Sequence, residues 1–300
     1  MKLLKFAAID IGSNAVRLLF MNVVEDKGKT TFKKSSLVRV PVRLGDDAFV
    51  NGKISLPKQE KLTKTMVAFK NLMDVHEVIS YRACATSAMR EASNGNEVVG
   101  VIKKNSGIDI EIIEGKQEAE IIYSTQIVEM INDSNHYLYV DVGGGSTEIT
   151  HFFRKELVQS QTFNIGTIRL LSQNVTKEQF KDMGKWLKTL KTNGKEITLI
   201  GSGGNINKLI KLVGAKNRQQ ITFDELNSIR KKLKRYTVNQ RIRIFGLNLD
   251  RADVIVPASD IFVKIMKWTK AHRIIVPTIG VSDGIVHQLY NEYRKSRKQF

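Results

Sequence analysis

One short pattern occurs twice in this chain, and it restricts the folds open to it. Ala8-Ile9-Asp10-Ile11-Gly12-Ser13-Asn14-Ala15-Val16-Arg17-Leu18-Leu19-Phe20 runs from an apolar stretch through an aspartate and a small polar bend into a second apolar stretch. Tyr139-Val140-Asp141-Val142-Gly143-Gly144-Gly145-Ser146-Thr147-Glu148-Ile149 repeats that order at the start of the second half. Apolar residues alternating on both sides of a glycine-bearing bend read as the two strands of a hairpin. One such hairpin per half indicates a duplicated architecture, and the repeat carries more weight than either copy. If the halves face one another, both bends point into one cleft.

The second bend has its own chemistry. Gly143, Gly144 and Gly145 allow a tight turn, because positive φ costs glycine little. With no Cβ in the way, the N–H groups of such a turn can approach an anion closely. Ser146 and Thr147 add hydroxyl donors. Asp141 and Glu148 flank the bend and would repel a bare phosphate. They make sense with a divalent cation or an attacking water between them and it. Taken alone, the stretch also reads as a glycine hairpin with solvated acids.

A chain of 300 residues is long enough for two domains, each with its own core. The expected division is 1–128 and 129–300, at the short polar turn near Glu129 to Asn135, with the terminal helix able to pack back on the first lobe. No apolar run approaches the ~18 residues needed to span a bilayer. Asp10 and Asn14 interrupt the apolar N-terminus too soon for a signal peptide. Cys84 is the only cysteine, which excludes an internal disulfide and fits a small buried residue. A cytoplasmic location without membrane association is the expectation. The formal charge of +18 favours polyanionic partners, but charge alone does not separate nucleic acid, anionic membrane and polyphosphate.

The remaining elements follow from periodicity. Thr31 to Val42 continues as strand. Pro57 to His76 is helical, with Leu62, Met66, Phe69 and Met73 on one face and proline in the first turn. Val78 to Ala83 reads as a strand feeding a loop and helix that carry Thr86, Arg90 and Asn94. An arginine and hydroxyls at a helix entrance form a plausible anion site, or an ordinary capped helix. Ile108 to Ile113 is a strand, and Gly115 opens a helix with Ile121, Ile122, Thr125 and Val128 as apolar positions. Glu118 and Glu120, in its first turn, are by themselves most simply acids favoured by the helix dipole.

In the second half, Phe163 to Leu170 is a turn into a helix, and Lys177 to Lys191 is a basic helix stopping near Gly194. Ile197 to Ile200 is a buried strand entering Gly201-Ser202-Gly203-Gly204 and a helix over Lys208 to Val213. That order suits phosphate or nucleotide binding, or simply a tight strand-to-helix turn. It is not a dinucleotide fingerprint, and no Walker A sequence occurs. Thr222 to Glu225 is a capping box launching a helix toward Tyr236. Lys208 to Arg243 holds eleven Lys or Arg against Asp224 and Glu225, as a solvated face or a track for a long polyanion. Arg251 to Ile255 opens a helix carrying Ile261, Ile265 and Trp268. Arg273 to Val276 is the last strand, before a terminal helix.

Over essentially its whole length the chain resembles the exopolyphosphatase / guanosine pentaphosphate phosphohydrolase (Ppx/GppA) family. The residues that carry this are Asp10-Ile11-Gly12-Ser13-Asn14, Thr86 with Arg90, Ala92 and Asn94, Gly115 with Glu118-Ala119, Asp141 to Glu148, Gly201 to Gly204, and Arg251-Ala252-Asp253. Sugar kinases, hsp70-like chaperones and actin share only the hairpin pattern. The resemblance implies an α/β, two-domain actin-like ATPase fold (ribonuclease H-like, a duplicated βββαβα unit) with the active site in the interdomain cleft. Val281-Ser282-Asp283-Gly284 departs from the family's usual Arg-Glu-Gly run, and Asp283 receives no role. Longer relatives have an added helical C-terminal domain, and the expectation here is the short form.

The resemblance also implies roles. Glu118 matches the glutamate that activates water, and Arg90 the arginine that grips the terminal phosphate. Asp141 and Glu148 match acids near the metal and the nucleophilic water. Asp10, at the equivalent place in the first hairpin, is counted with them as a candidate metal ligand. Ser13 and Asn14 match the first phosphate loop, and Gly143, Gly144, Gly145, Ser146 and Thr147 the second. Gly203 is added as a phosphate-binding candidate, and Lys208, Lys231, Lys232 and Arg235 as a polyanion track. The expected activity is Mg²⁺-dependent (or other divalent-cation-dependent), processive hydrolysis of terminal phosphoanhydrides of inorganic polyphosphate. Guanosine pentaphosphate (pppGpp) is the competing substrate. A kinase-like module and a non-catalytic polyanion binder are remoter alternatives. A homodimer is expected, and nucleic acid is not expected as a specific ligand.

Overall fold

The first hairpin forms at its glycine-bearing bend, although its strands are buried along most of their length and do not alternate. In the computed structural model, which describes residues 1–123, 131–192, 194–214, 219–277 and 279–298, β1 (Lys2–Ile11) pairs antiparallel with β2 (Val16–Asp26). β3 (Lys29–Val40) continues the antiparallel run, with a register shift between Phe20 and Met21. Helices α1 (Leu44–Asn51) and α2 (Leu56–Val75) follow. Leu62, Met66, Phe69 and Met73 are all buried, as their spacing predicts, and proline occupies the first turn of α2. β4 (Ser80–Ala85) returns parallel to β1. Then come α3 (Ser87–Glu91), α4 (Gly95–Ser106), β5 (Ile110–Ile112) parallel to β4, and α5 (Gly115–Tyr123). The sheet order is β3-β2-β1-β4-β5.

The second sheet repeats this plan. β6 (His136–Val142), β7 (Thr147–Phe153) and β8 (Glu156–Phe163) form an antiparallel run. Two helices, α6 (Thr167–Leu171) and α7 (Lys177–Lys188), lead to β9 (Ile197–Ser202), which is parallel to β6. Next are α8 (Gly204–Leu212), β10 (Gln220–Thr222), α9 (Phe223–Lys234), α10 (Val238–Phe245), α11 (Leu249–Ala252) and α12 (Ile255–Thr269). β11 (Arg273–Ile275) is parallel to β9 and pairs antiparallel with β10 at the edge. The order β10-β11-β9-β6-β7-β8 contains the first sheet's sequence of pairings, two antiparallel and then two parallel. The core of this part is built from Leu138, Val140, Leu199, Ile206, Phe262 and Ile274 among others, where α8 and α12 cover the sheet.

By their internal contacts the residues form two units, Met1–Thr125 with Gly280–Phe300, and Gln126–Ile279. The last helix, α13 (Val281–Lys298), therefore belongs to the first unit. Its Tyr290 and Tyr293 meet the ring of Phe6 edge-on at 6.2 and 5.9 Å. Such aromatic pairs contribute roughly 0.5–1.5 kcal/mol beyond their burial. Gly284 lies so close to α5 that a Cβ there would come within 2.1 Å of the Ile121 carbonyl oxygen.

Several local expectations shift. The helix expected from Lys208 starts at Gly204, because the strand-to-helix turn is tighter than the glycine run suggests. The single helix expected from Arg251 is divided into α11 and α12. Thr125 and Val128, Glu129 at the expected boundary, Lys216 and Arg218 lie outside the described residues. Among the described residues, no helix is long and apolar enough to cross a membrane. Cys84 is buried on β4, and that burial pushes its thiol up to about 12, which leaves it unreactive.

Candidate active site

In the first unit the bend is closed by the Gly12 N–H donating to the Ala15 carbonyl at 3.2 Å. The carbonyls within the bend are bound from α1. The Gly45 N–H donates to Ser13 O at 2.8 Å, and the Arg43 N–H to Asn14 O at 3.0 Å. Arg43 makes this contact in the left-handed conformation, φ 58°, where non-glycine residues are uncommon. The Ser13 and Ser87 hydroxyls are 2.9 Å apart, which ties the bend to α3. Three residues on, the Arg90 guanidinium donates to the Ile113 carbonyl at 2.6 Å, at the approach to α5. Glu118, in the first turn of α5, is 8% exposed. Ser13, Arg90 and Glu118, far apart in sequence, are thus linked through α3 and the β5–α5 connection.

Asp10 is buried, and its carboxylate pairs with Arg17 at 2.8 Å. These two residues are direct cross-strand partners in β1–β2. The acid expected as a metal ligand is already opposed by a cation of the chain itself.

In the second unit the Gly143 N–H donates to the Ser146 carbonyl at 2.9 Å, repeating the Gly12–Ala15 closure. Asp141 and Glu148 are cross-strand partners in β6–β7, at the places held by Asp10 and Arg17 in the first unit. The Ser146 hydroxyl donates to the Glu148 carboxylate. The Thr147 hydroxyl is turned back onto the Ile165 carbonyl at 2.5 Å, so it serves the fold of the loop. Gly203, at φ 97°, has a backbone that only glycine adopts readily, and a Cβ there would come within 3.0 Å of Asp141 Oδ1. The structure thus brings Gly203 against Asp141. Gly204 lies under the Arg251 guanidinium, whose Nη2 would be 2.7 Å from an added Cβ.

The basic candidates are spread over two helices of this unit. Lys208 on α8 donates to the Gly246 carbonyl at 3.1 Å. Lys232 on α9 lies 5.5 Å from the centre of the Phe245 ring on α10. Both hold helices together. Lys231 and Arg235 are exposed on or just after α9.

Among the described residues, no group of three or more His, Cys, Asp or Glu side chains is placed to hold a metal ion. Mg²⁺ needs fewer, since it takes one or two carboxylates and completes its shell with water and phosphate oxygens. Directly opposed like charges in a sheet are destabilising, and a cation offsets that cost. The Asp141–Glu148 pair, two carboxylates side by side, fits such an ion; Asp10 pairs with Arg17 at 2.8 Å.

Sequence reasoning did not single out Gly166 or Arg169. A Cβ on Gly166 would fall 2.2 Å from the Gly144 carbonyl oxygen, and Arg169 Nε donates to Gly145 O at 2.7 Å. The available signal was an Asn-Ile-Gly-Thr turn entering a helix.

Comparisons with known proteins bear on the fold and the family. An exopolyphosphatase from Cytophaga hutchinsonii has a similar fold, with a TM-score of 0.83 and 25% identity over 96% of this chain and 98% of that one. An Aquifex aeolicus member of the Ppx/GppA family gives 0.76 and 24%, over 97% of this chain and 99% of that chain. In sequence, exopolyphosphatase 1 of Mycobacterium leprae is 21% identical over 94% of this chain and 88% of its own length. A bifunctional 3-dehydroquinate synthase/phosphatase of Fusobacterium nucleatum is 27% identical over 90% of this chain, which spans 44% of that relative. The Ppx/GppA phosphatase family pattern matches residues 23–292. With two sheets of one topology, each carrying the same hairpin, the chain has the actin-like ATPase fold and belongs to the Ppx/GppA phosphatase family.

Proposed function

We propose that this chain is an exopolyphosphatase that hydrolyses the terminal phosphoanhydride of inorganic polyphosphate processively and releases orthophosphate. The observation that carries this reading is the duplicated bend, closed in each unit by the same glycine N–H bond. Backbone donors of this kind suit a series of phosphates, because phosphoryl transfer needs positioning and charge neutralisation more than covalent help. The names of the Cytophaga and Mycobacterium relatives support the same class of substrate.

In this reading the N–H groups of the Gly143–Ser146 bend, with Ser13 and Asn14, hold phosphate oxygens. Arg90 neutralises the terminal group. Glu118 orients a water in line with the leaving phosphate and takes its proton, work that carries about 10²–10⁴-fold in rate. Asp141 and Glu148 would hold Mg²⁺, whose charge would offset that of the phosphate oxygens. Gly203 supports Asp141. Lys231 and Arg235, exposed beside the better-anchored Lys208 and Lys232, attract the long anion. A cytoplasmic homodimer completes the reading, and sedimentation measures the assembly.

Phosphate release from polyphosphates of several lengths, from pppGpp and from ATP, with and without magnesium, tests it. Release that rises with chain length and needs the metal is the expected result. A large preference for pppGpp assigns the nucleotide instead, and transfer to ADP without release to water assigns a kinase.

A further inference from the structure

The second bend is held from behind by a segment that the sequence reading left without a role. Gly143 O accepts from the Thr167 N–H at 3.0 Å and Gly144 O from the Ile168 N–H at 2.8 Å. Gly145 O accepts from Arg169 Nε at 2.7 Å. Three successive carbonyls therefore point toward one short stretch, Gly166 to Arg169. In a trans peptide the C=O of one residue and the N–H of the next point in opposite directions. Fixing the carbonyls of Gly143, Gly144 and Gly145 on one side sends the N–H groups of Gly144, Gly145 and Ser146 to the other. Three neighbouring N–H groups turned one way form an anion-binding nest.

Gly166 makes the approach possible. Its α-carbon sits so close that a Cβ would be 2.2 Å from Gly144 O and 2.4 Å from the carbonyl carbons of Gly144 and Gly145. The first unit does the same with different residues. There the Gly45 N–H holds Ser13 O and the Arg43 N–H holds Asn14 O, so the N–H groups of Asn14 and Ala15 are turned away from α1. The stretch that follows the third strand of each unit thus holds its copy of the bend from behind, with different residues in the two units.

Resting on the reading of Gly143 to Ser146 as a phosphate loop, we propose that Gly166 and Arg169 are positioning residues. They hold the loop's carbonyls so that its N–H groups are preset for phosphate oxygens. A preset donor costs no reorganisation when charge develops on those oxygens. Arg169 does this with one hydrogen bond from a charged donor, and its loss should weaken anion binding about tenfold.

The test is a titration of inorganic tripolyphosphate by calorimetry, alongside kcat and KM for polyphosphate, on the wild type, Arg169→Gln, Arg169→Lys and Gly166→Ala. The expected result is about tenfold weaker tripolyphosphate binding and lower kcat in Arg169→Gln, at a melting temperature near that of the wild type. Arg169→Lys, which keeps a charged donor, should recover part of both. If Gly166→Ala does not fold, the two Arg169 variants decide. Wild-type affinity and kcat in Arg169→Gln, or in a folded Gly166→Ala, overturns the proposal. A wild type that binds tripolyphosphate but releases no phosphate removes the proposed activity, and the binding series still decides the positioning role. A wild type that binds no tripolyphosphate removes the phosphate loop and the proposal with it.

Discussion

Asp141 and Glu148 face each other across the β6–β7 hairpin at the register position where Asp10 faces Arg17 in β1–β2. The duplicated unit has kept one acid and changed the charge opposite it. In the first copy the pair is internally balanced at 2.8 Å. In the second, two carboxylates oppose one another, and opposed like charges weaken a sheet by roughly 0.2–1 kcal/mol.

Glu148→Gln keeps an acceptor for the Ser146 hydroxyl and removes one of the two carboxylates. It should remove any stabilisation of the wild type by magnesium and reduce phosphate release at least about a hundredfold. Urea unfolding with and without added magnesium checks the first. A variant that magnesium still stabilises as it does the wild type would place the cation elsewhere.

Glu118→Ala should leave polyphosphate binding nearly intact while turnover falls by at least about a hundredfold, the lower end for a lost general base. Single-turnover kinetics separates the two quantities. Near-normal turnover would reject the role.

Gly284→Ala should destabilise the first unit by about 1–3 kcal/mol, the usual cost of overpacking. The added methyl would fall 2.1 Å from the Ile121 carbonyl oxygen, which belongs to backbone and cannot rotate aside. Because Ile121 is on the helix that carries Glu118, kcat should fall with stability. Denaturant unfolding that matches the wild type would show that α13 and α5 are not held this close.

The His136 and His151 rings, side by side in the second unit, predict a loss of stability in mild acid. Nδ1 of His136 and Nε2 of His151 are 2.9 Å apart, and both side chains are buried. Burial lowers both from the usual 6.5, that of His151 to about 4; the His136 ring adds to the effect on His151, and the Lys195 charge to that on His136. Between pH 6.5 and about 4 the unfolded chain binds more protons at His151 than the folded one. Stability is therefore fully present above 6.5 and falls as pH drops through that window, by on the order of 3 kcal/mol for this group. His151→Gln should flatten the slope of unfolding free energy against pH there. An unchanged slope would show that other groups dominate.

Much of the fold was legible because the apolar pattern of this chain is strong. Leu62, Met66, Phe69 and Met73 announce one buried helix face, and the strands around Asp10 and Asp141 are nearly continuous apolar runs, buried at most positions. Edge elements were harder to see. β8 is mostly exposed or half-buried, so its sequence has no sharp apolar alternation, and β10 is three residues held by its pairing to β11. The break between α11 and α12 was hidden because Arg251 to Ile255 contains no glycine or proline. Ser13, Arg90, Glu118, Asp141 and Glu148 stood out from residue type and family resemblance.

The sequence by itself determined that two similar hairpins would form, with acids and small residues at their bends, because apolar runs and glycine placement are local properties. Only the tertiary structure decided what each of those residues touches. It set Arg17 opposite Asp10 but Glu148 opposite Asp141, put Gly203 against Asp141, and brought Gly166 and Arg169 up behind the second bend. Hydrogen bonds and charge pairing act between neighbours in space, and a strand register or a close helix approach makes neighbours of residues that the chain keeps far apart.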